Sequence, residues 1–216
     1  MSARELLRTL TVFGDALPGF ATATAAAEPT DQFLAWLAEA VEGGVARPQL
    51  MTLATVDADG FPDARTLTVR EVDRTGWWFA TDATSPKAEQ ITALPRAALV
   101  FSWPEQGRQI RVRGTVGRAD RRACAGDFLM RPPGARAASH VGRQSRPLRD
   151  TAELDRAFVE ARERVTAQPD RVAEAYVLYV VRPLAVEFWQ GRTDRKHTRL
   201  RYQLAEGAWE REFLWP

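Results

Sequence analysis

LMTLATVDADGFPDARTLTVREVDRTGWWFAT, Leu50 to Thr81, is the stretch that decides the fold class. Met51, Leu53 and Thr55 alternate with their neighbours, the period of a strand that buries one face. Asp57-Ala58-Asp59-Gly60 reads as a turn, and Arg65 to Val72 reads as the returning strand. Asp73-Arg74-Thr75-Gly76 turns the chain once more, into Trp77 to Thr81. Three strands in immediate succession make an antiparallel meander, with no room for the helix that a parallel crossover needs.

Downstream, the pattern predicts a short helix from Pro86 to Ala93 and strands at Ala97 to Trp103 and Arg108 to Val116. Residues 121–131 and 151–167 are predicted helices, separated by an arginine-, proline- and glycine-rich loop from Pro132 to Asp150. Strands return at Ala175 to Arg182, Val186 to Trp189, Leu200 to Leu204 and Trp209 to Leu214. Upstream, Pro29 and Thr30 open a helix in which Phe33, Leu34, Leu37 and Val41 recur at helical spacing, and Gly43-Gly44 stops it. Closely spaced strands with polar turns describe a mainly β chain with flanking helices, closing as a small antiparallel barrel. The organisation expected is an N-terminal arm over residues 1–27 and one domain over 28–216. The Ala/Thr-rich end of the arm, Ala21 to Ala27, reads as mobile or as ordering on a partner surface.

At 216 residues with 45% hydrophobic content, the chain can bury one substantial core but is short for two enzymatic domains. A formal charge of +2 is small, and Lys87 and Lys196 are the only lysines, so basicity by itself names no partner. An arginine must be argued from its position. The single cysteine, Cys124, excludes an intramolecular disulfide and fits a reducing compartment. His140 and His197 stand far apart with no Cys/His cluster, so no zinc site is expected. Glu5, Arg8, Asp15 and Pro18 interrupt the apolar N-terminal residues, which argues against a signal peptide, and no apolar run approaches the roughly 20 residues that span a bilayer. A soluble, cytoplasmic protein with no membrane partner is expected. The arginine-rich stretch from Arg118 to Arg149 could follow nucleic-acid phosphates but contains no recognised nucleic-acid motif, and no nucleic-acid partner is expected.

Eight segments then arrive in one order: Leu50 to Gly60 with Pro62 and Arg65, Ser85-Pro86-Lys87, Trp103-Pro104, Arg108-Gln109, Arg131-Pro132, Gln144-Ser145, Glu187-Phe188-Trp189-Gln190-Gly191, and Arg195-Lys196-His197 with Arg199. Over roughly residues 28–216 the chain resembles the pyridoxine/pyridoxamine 5′-phosphate oxidase family. The resemblance implies an FMN-binding split barrel and a homodimer with flavin bound between the subunits. It also implies hydride transfer from a small-molecule ring substrate to FMN, with oxygen as the electron acceptor and peroxide as product.

Residue by residue, the resemblance makes Arg65 and Lys87 the cations of the FMN phosphate, an anion that is costly to enclose without cations and donors. Thr81 and Ser85 could donate nearby. Gln109, Gln144 and Ser145 match positions that hydrogen-bond the flavin or its tail, and Trp189 and Arg199 match positions near its ring. Arg195 and His197 match a catalytic pair over the substrate ring, where a histidine can change charge near neutral pH. The bland alternatives are a solvated Arg65, a rim Gln109, a core Trp189 and a surface-turn His197.

Several positions depart from the family. Pro86 replaces an arginine, although a proline is tolerated in the first turn of a helix. At the substrate-phosphate positions Arg131 is retained, but Arg70 replaces a lysine, Asp127 a tyrosine and Ala135 a serine. Arginine for lysine changes the geometry at a phosphate, and Asp127 would repel one that it faced. Tyr176-Val177-Leu178-Tyr179 occupies the place of a Trp-Gly-Gly segment. Related flavin oxidases of phenazine biosynthesis also depart at phosphate-binding positions. A second expectation is therefore an oxidase of a different ring in specialised metabolism. A third is a non-catalytic flavin or deazaflavin binder, which Arg195 and His197 argue against.

Overall fold

The computed structural model describes residues 1–14 and 16–216; Asp15 lies outside them. The decisive stretch folds through its two turns. Asp57 Oδ1 accepts from the backbone N–H groups of Asp59 and Phe61 at 3.0 and 2.8 Å. Asp73 Oδ1 accepts in the same way from Thr75 and Gly76, at 2.7 and 3.1 Å. Such side-chain acceptors replace missing backbone partners and make Asp a turn former. Gly76 is required as glycine: its φ is +144°, and a Cβ there would lie 2.0 Å from the carbonyl oxygen of Val181.

The strands are β1 (Leu50–Val56), β2 (Pro62–Asp73), β3 (Gly76–Asp82), β4 (Arg96–Trp103), β5 (Arg108–Arg118), β6 (Tyr176–Gln190), β7 (Thr198–Ala205) and β8 (Ala208–Phe213). The helices are α1 (Ala3–Arg8), α2 (Pro29–Glu42), α3 (Pro86–Ala93), α4 (Arg121–Leu129), α5 (Pro133–Val141) and α6 (Thr151–Ala167). The sheet order is β3-β2-β1-β4-β5-β6-β7-β8, and β3 pairs also with β6, in antiparallel register from Trp77↔Val181 to Asp82↔Tyr176. That extra pairing closes six strands into a barrel, the mainly β fold with flanking helices expected from the sequence.

Contacts divide the chain into two compact units. The first comprises Met1–Leu53, Ala98–Gly114 and Pro183–Pro216. Its core is aromatic: Trp36 meets Phe188 edge-on at 5.1 Å, Phe188 meets Tyr202 at 5.6 Å, and Phe33 lies 4.7 Å from Phe101. Phe20, from the N-terminal segment, packs on Trp36 at 4.7 Å. The face that α2 buries is corrected by this packing. Phe33, Trp36 and Ala40 point inward, whereas Leu34 and Val41 are 43% and 64% exposed. Aromatic volume, rather than the aliphatic stripe, chose the face.

The second unit comprises Ala54–Ala97 and Thr115–Arg182. Cys124, Phe128, Ala173, Tyr176 and Leu178 form one buried cluster, and Ala137, Ala161 and Val165 form another. The latter overturns the loop expected over Pro132 to Asp150, because residues 133–141 are helical. Pro133 sits in the first helical turn, where its missing N–H costs nothing, and the alanines that follow are strong helix formers that dock on α6.

The two strands expected at Ala175 to Arg182 and Val186 to Trp189 are one continuous strand, β6. Pro183 falls between the residues paired with β3, ending at Val181, and those paired with β7, beginning at Ala185. The proline therefore interrupts neither ladder.

Candidate functional site

In the second unit, the end of β3 and the start of α3 assemble a buried polar cluster. Ser85, fully buried, precedes the helix, and Pro86 occupies its first turn without displacing Lys87. The Ser85 hydroxyl donates to the Asp82 carbonyl at 2.7 Å and lies 3.3 Å from the Thr81 hydroxyl. Gln144 Oε1 accepts from both Thr81 Oγ1 and Lys87 Nζ, at 3.2 and 3.3 Å. Lys87 is only 6% exposed. Among the described residues no carboxylate forms an ion pair with it. Burial, followed by repulsion from Arg65, holds its pKa below the ordinary lysine value.

Arg65 in β2 is anchored on three side chains: it donates to Thr55 Oγ1 and Asp63 Oδ2, both at 2.5 Å, and to Gln90 Oε1 at 3.2 Å. Two cations thus share one neighbourhood; Asp63, half in water, pairs with Arg65, and the charges of Asp82 and Asp63 both favour the protonated Lys87 amine. A buried amine that forms no ion pair among the described residues, with the Thr81 hydroxyl bonded to the same Gln144 oxygen, fits an incoming anion with several acceptor oxygens. Ser145, exposed with φ +67°, takes no part in this hydrogen-bond set.

A second cluster in the same unit gathers Arg70, Asp127 and Arg131, the residues expected at the substrate phosphate. Asp127 Oδ1 accepts from Arg70 Nε and Nη2 at 3.1 and 3.0 Å, and its Oδ2 accepts from the Tyr176 hydroxyl. Burial first, then the bond to Asp127, raises the Tyr176 pKa far above the ordinary phenol value, so the phenol keeps its proton. The Arg131 guanidinium lies 5.0 Å from the centre of the Tyr176 ring and donates to Ser139 Oγ at 2.6 Å. Arg131, Ser139 and Tyr176 line a cavity of about 460 Å³, whose wall also includes Thr81, Gln144 and Phe158.

The first unit holds the remaining candidates. Trp189 on β6 and His197, just before β7, place their rings 4.8 Å apart, and Phe13 lies 6.0 Å from Trp189 and 5.9 Å from His197. Gly191 permits this approach, since a Cβ there would meet the Phe13 ring at 2.9 Å. The turn before His197 is fixed by a two-point ion pair from Arg192 to Asp194 at 2.9 and 2.7 Å. Arg195, exposed with φ +65°, sits at its tip. Arg199 donates to Glu187 Oε1 at 2.8 Å and to the Trp215 carbonyl at 2.7 Å, while Glu187 also pairs with Arg111 at 3.1 Å. Gln109 is half-buried on β5.

Sequence reading missed Asp63, Gln90 and Phe13, and it quoted Tyr176 and Glu187 only within longer segments, with no role for either. Asp63 had a signal, because it lies two residues before Arg65 on one strand and therefore on the same face. Gln90 had another, three residues beyond Lys87 on one helix. Phe13 had none, since nothing local shows where an N-terminal aromatic will land.

The profile of the pyridoxamine 5′-phosphate oxidase family matches residues 37–190, and that of the pyridoxine 5′-phosphate oxidase C-terminal dimerisation region matches residues 176–216. The chain belongs to the pyridoxamine 5′-phosphate oxidase family. It is an enzyme of an FMN-dependent oxidoreductase family. A pyridoxine/pyridoxamine 5′-phosphate oxidase from Pseudomonas paraeruginosa is 38% identical over 200 residues, covering 92% of this chain and 93% of the relative. One from Bordetella petrii is 41% identical over 194 residues, covering 89% and 91%. Among solved structures, PhzG from Burkholderia lata, in complex with tetrahydrophenazine-1-carboxylic acid, superposes with a TM-score of 0.87 at 28% identity, covering 94% of this chain and all of that one. A pyridoxamine 5′-phosphate oxidase-related, FMN binding protein from Nostoc punctiforme shares the fold, with a TM-score of 0.70 at 22% identity over 84% of this chain and 96% of that one. No helix among the described residues is long and apolar enough to cross a membrane.

Proposed function

We propose that this chain is an FMN-dependent oxidase of a small ring substrate, acting as a homodimer in which each flavin site draws on both subunits. The observation that carries the reading is Lys87, a buried amine with no carboxylate partner among the described residues, lying in the field of a second cation, Arg65. Lys87 and Arg65 bind the FMN phosphate, with Thr81, Ser85, Gln144 and Ser145 as hydrogen-bonding neighbours. Gln109, Trp189 and Arg199 are assigned to the flavin and its ring. Bound FMN supplies acceptance of a hydride from the substrate carbon and reoxidation by oxygen to peroxide. Arg195 and His197 orient the substrate and balance its charge as the hydride leaves. The family's dimerisation region over residues 176–216 supports the dimer.

The curated relatives' names favour pyridoxine or pyridoxamine 5′-phosphate as substrate. A second reading, a different ring substrate in specialised biosynthesis, is favoured by the Arg70–Asp127 pair and by the ring carboxylic acid held by the PhzG neighbour. Fluorescence titration with FMN and with riboflavin tests the cofactor assignment. FMN must bind more tightly; equal affinities remove the phosphate role of Arg65 and Lys87.

A further inference from the structure

We infer that Arg111 is a further cofactor-side residue: the buried carboxylate of Glu187 holds its guanidinium beside that of Arg199, on the face that carries Gln109 and Trp189. One carboxylate between two guanidiniums leaves this face one net positive charge for the flavin ring. The inference rests on the oxidase reading, which assigns Gln109, Trp189 and Arg199 to the flavin, and adds to it a residue and a charge.

Strand register carries the first part. Trp189 and Arg199 are direct cross-strand partners on β6 and β7, as are Glu187 and Arg201, so these four side chains share one face. On the adjacent strand β5 burial alternates: Arg108, Ile110 and Val112 are buried, and Gln109 and Arg111 lie on the opposite face. Glu187 joins the strands. Its Oε1 accepts from Arg199 Nε at 2.8 Å, and its Oε2 lies 3.1 Å from Arg111 Nη2.

The charge count carries the second part. Among the described residues, Glu187 is the only carboxylate paired with Arg111 or with Arg199. Arg201 does not compete for it, being held by Glu212 at 2.9 and 2.7 Å. A carboxylate as buried as Glu187 is costly unless paired, and two guanidiniums meet that need with a charge to spare. Arg199 is fixed from a second side by the Trp215 carbonyl, at 2.7 Å. Arg111 is half-exposed, and its pair with Glu187 keeps the guanidinium at the face instead of out in water. Glu187 is thus the positioning residue for both cations. A hydride brings two electrons and one proton, so a ring that accepts one gains a negative charge. A fixed positive charge stabilises that ring more than the neutral oxidised one and raises its potential.

The test measures the midpoint potential of the flavin in the FMN-loaded full chain, with FMN occupancy read by absorbance on the same samples. Arg111→Met removes the surplus charge and should lower the potential by at least about 14 mV, a threefold change in the equilibrium constant of this two-electron couple. Arg111→Lys keeps the charge and should stay near the parental value. Glu187→Gln removes the opposing charge and should raise the potential by a similar amount. A merely structural contact would not give shifts of opposite sign in the two partners of one ion pair. An unchanged potential in Arg111→Met, a fall in Glu187→Gln, or a fall in Arg111→Lys equal to that in Arg111→Met overturns the inference and leaves the oxidase reading in place. If Glu187→Gln does not fold, the comparison of Arg111→Met with Arg111→Lys decides. A parent chain that takes up no FMN refutes the oxidase reading itself, and the inference with it.

Discussion

The backbone N–H of Arg192 donates to Nδ1 of His197 at 3.1 Å. Nδ1 is therefore the acceptor, and a neutral imidazole carries its proton on Nε2, with the tautomer set by main chain rather than by a carboxylate. The Arg192–Asp194 ion pair steadies the turn that delivers this donor, and Trp189 and Phe13 flank the ring. The ring is thereby held in place in a way that a free surface histidine is not.

His197→Ala should therefore leave FMN binding intact and lower turnover by about 10²- to 10⁴-fold, the general range for a positioned acid–base or charge-balancing group. Excess FMN should not restore the rate. Turnover under oxygen, with FMN occupancy measured on the same samples, checks it. An Arg195→Ala, His197→Ala double variant working at the parental rate would return His197 to the role of a surface turn.

Lys87→Met and Arg65→Ala should weaken FMN by about 10- to 150-fold each, because a hydrogen bond to a charged group contributes about 1.5–3 kcal/mol. Riboflavin affinity should change little. Here excess FMN should rescue turnover, which separates these variants from His197→Ala. Fluorescence titration with both ligands is the measurement.

The lowered Lys87 pKa gives FMN binding an alkaline limit. Burial and Arg65 both favour the neutral amine, so the folded apo chain releases this proton below the ordinary lysine value of 10.5. FMN affinity should fall as pH rises through that lowered value, and the limb should be absent in Lys87→Met. The sign for folding is opposite. Between the lowered value and 10.5 the unfolded chain holds more protons, so the stability of the apo chain rises with pH in that window. Titrations of FMN binding and of urea unfolding across the alkaline range report the two slopes.

Arg108 tests the first unit. It is 3% exposed, donates to Gln190 at 3.0 Å, pairs with Glu39 at 2.6 Å and lies 4.2 Å from the centre of the Trp36 ring. Arg108→Met should destabilise by about 1–3 kcal/mol, chiefly by leaving the fully buried Gln190 oxygen without its donor. Glu39 is half-exposed and returns to water, which limits the loss. Denaturant unfolding measures it.

Light scattering of the flavin-loaded protein should give twice the chain mass of 24.1 kDa. Leu34, Val41, Phe213 and Trp215 are large apolar side chains that a single chain leaves exposed, and a symmetric partner would cover such surface. A flavin-loaded monomer would contradict the shared-site arrangement.

The sequence by itself determined the strand meander, because period-two alternation and Asp-based turns are local properties of Leu50 to Thr81. It also placed Arg65, Lys87, Arg195 and His197 as candidates, since the motifs that hold them are contiguous. Tertiary structure decided what depends on distant partners. Only packing shows that α2 turns Trp36 inward and Leu34 outward, that residues 133–141 coil into a helix against α6, and that β6 runs through Pro183 between two ladders. Asp127 carries the same lesson in its charge. In the sequence it is an acid misplaced among phosphate-binding positions, whereas in the fold it pairs with Arg70 and accepts from the Tyr176 hydroxyl, residues 57 and 49 positions away. Electrostatic roles are set by distances through space, and the chain order does not encode those distances locally.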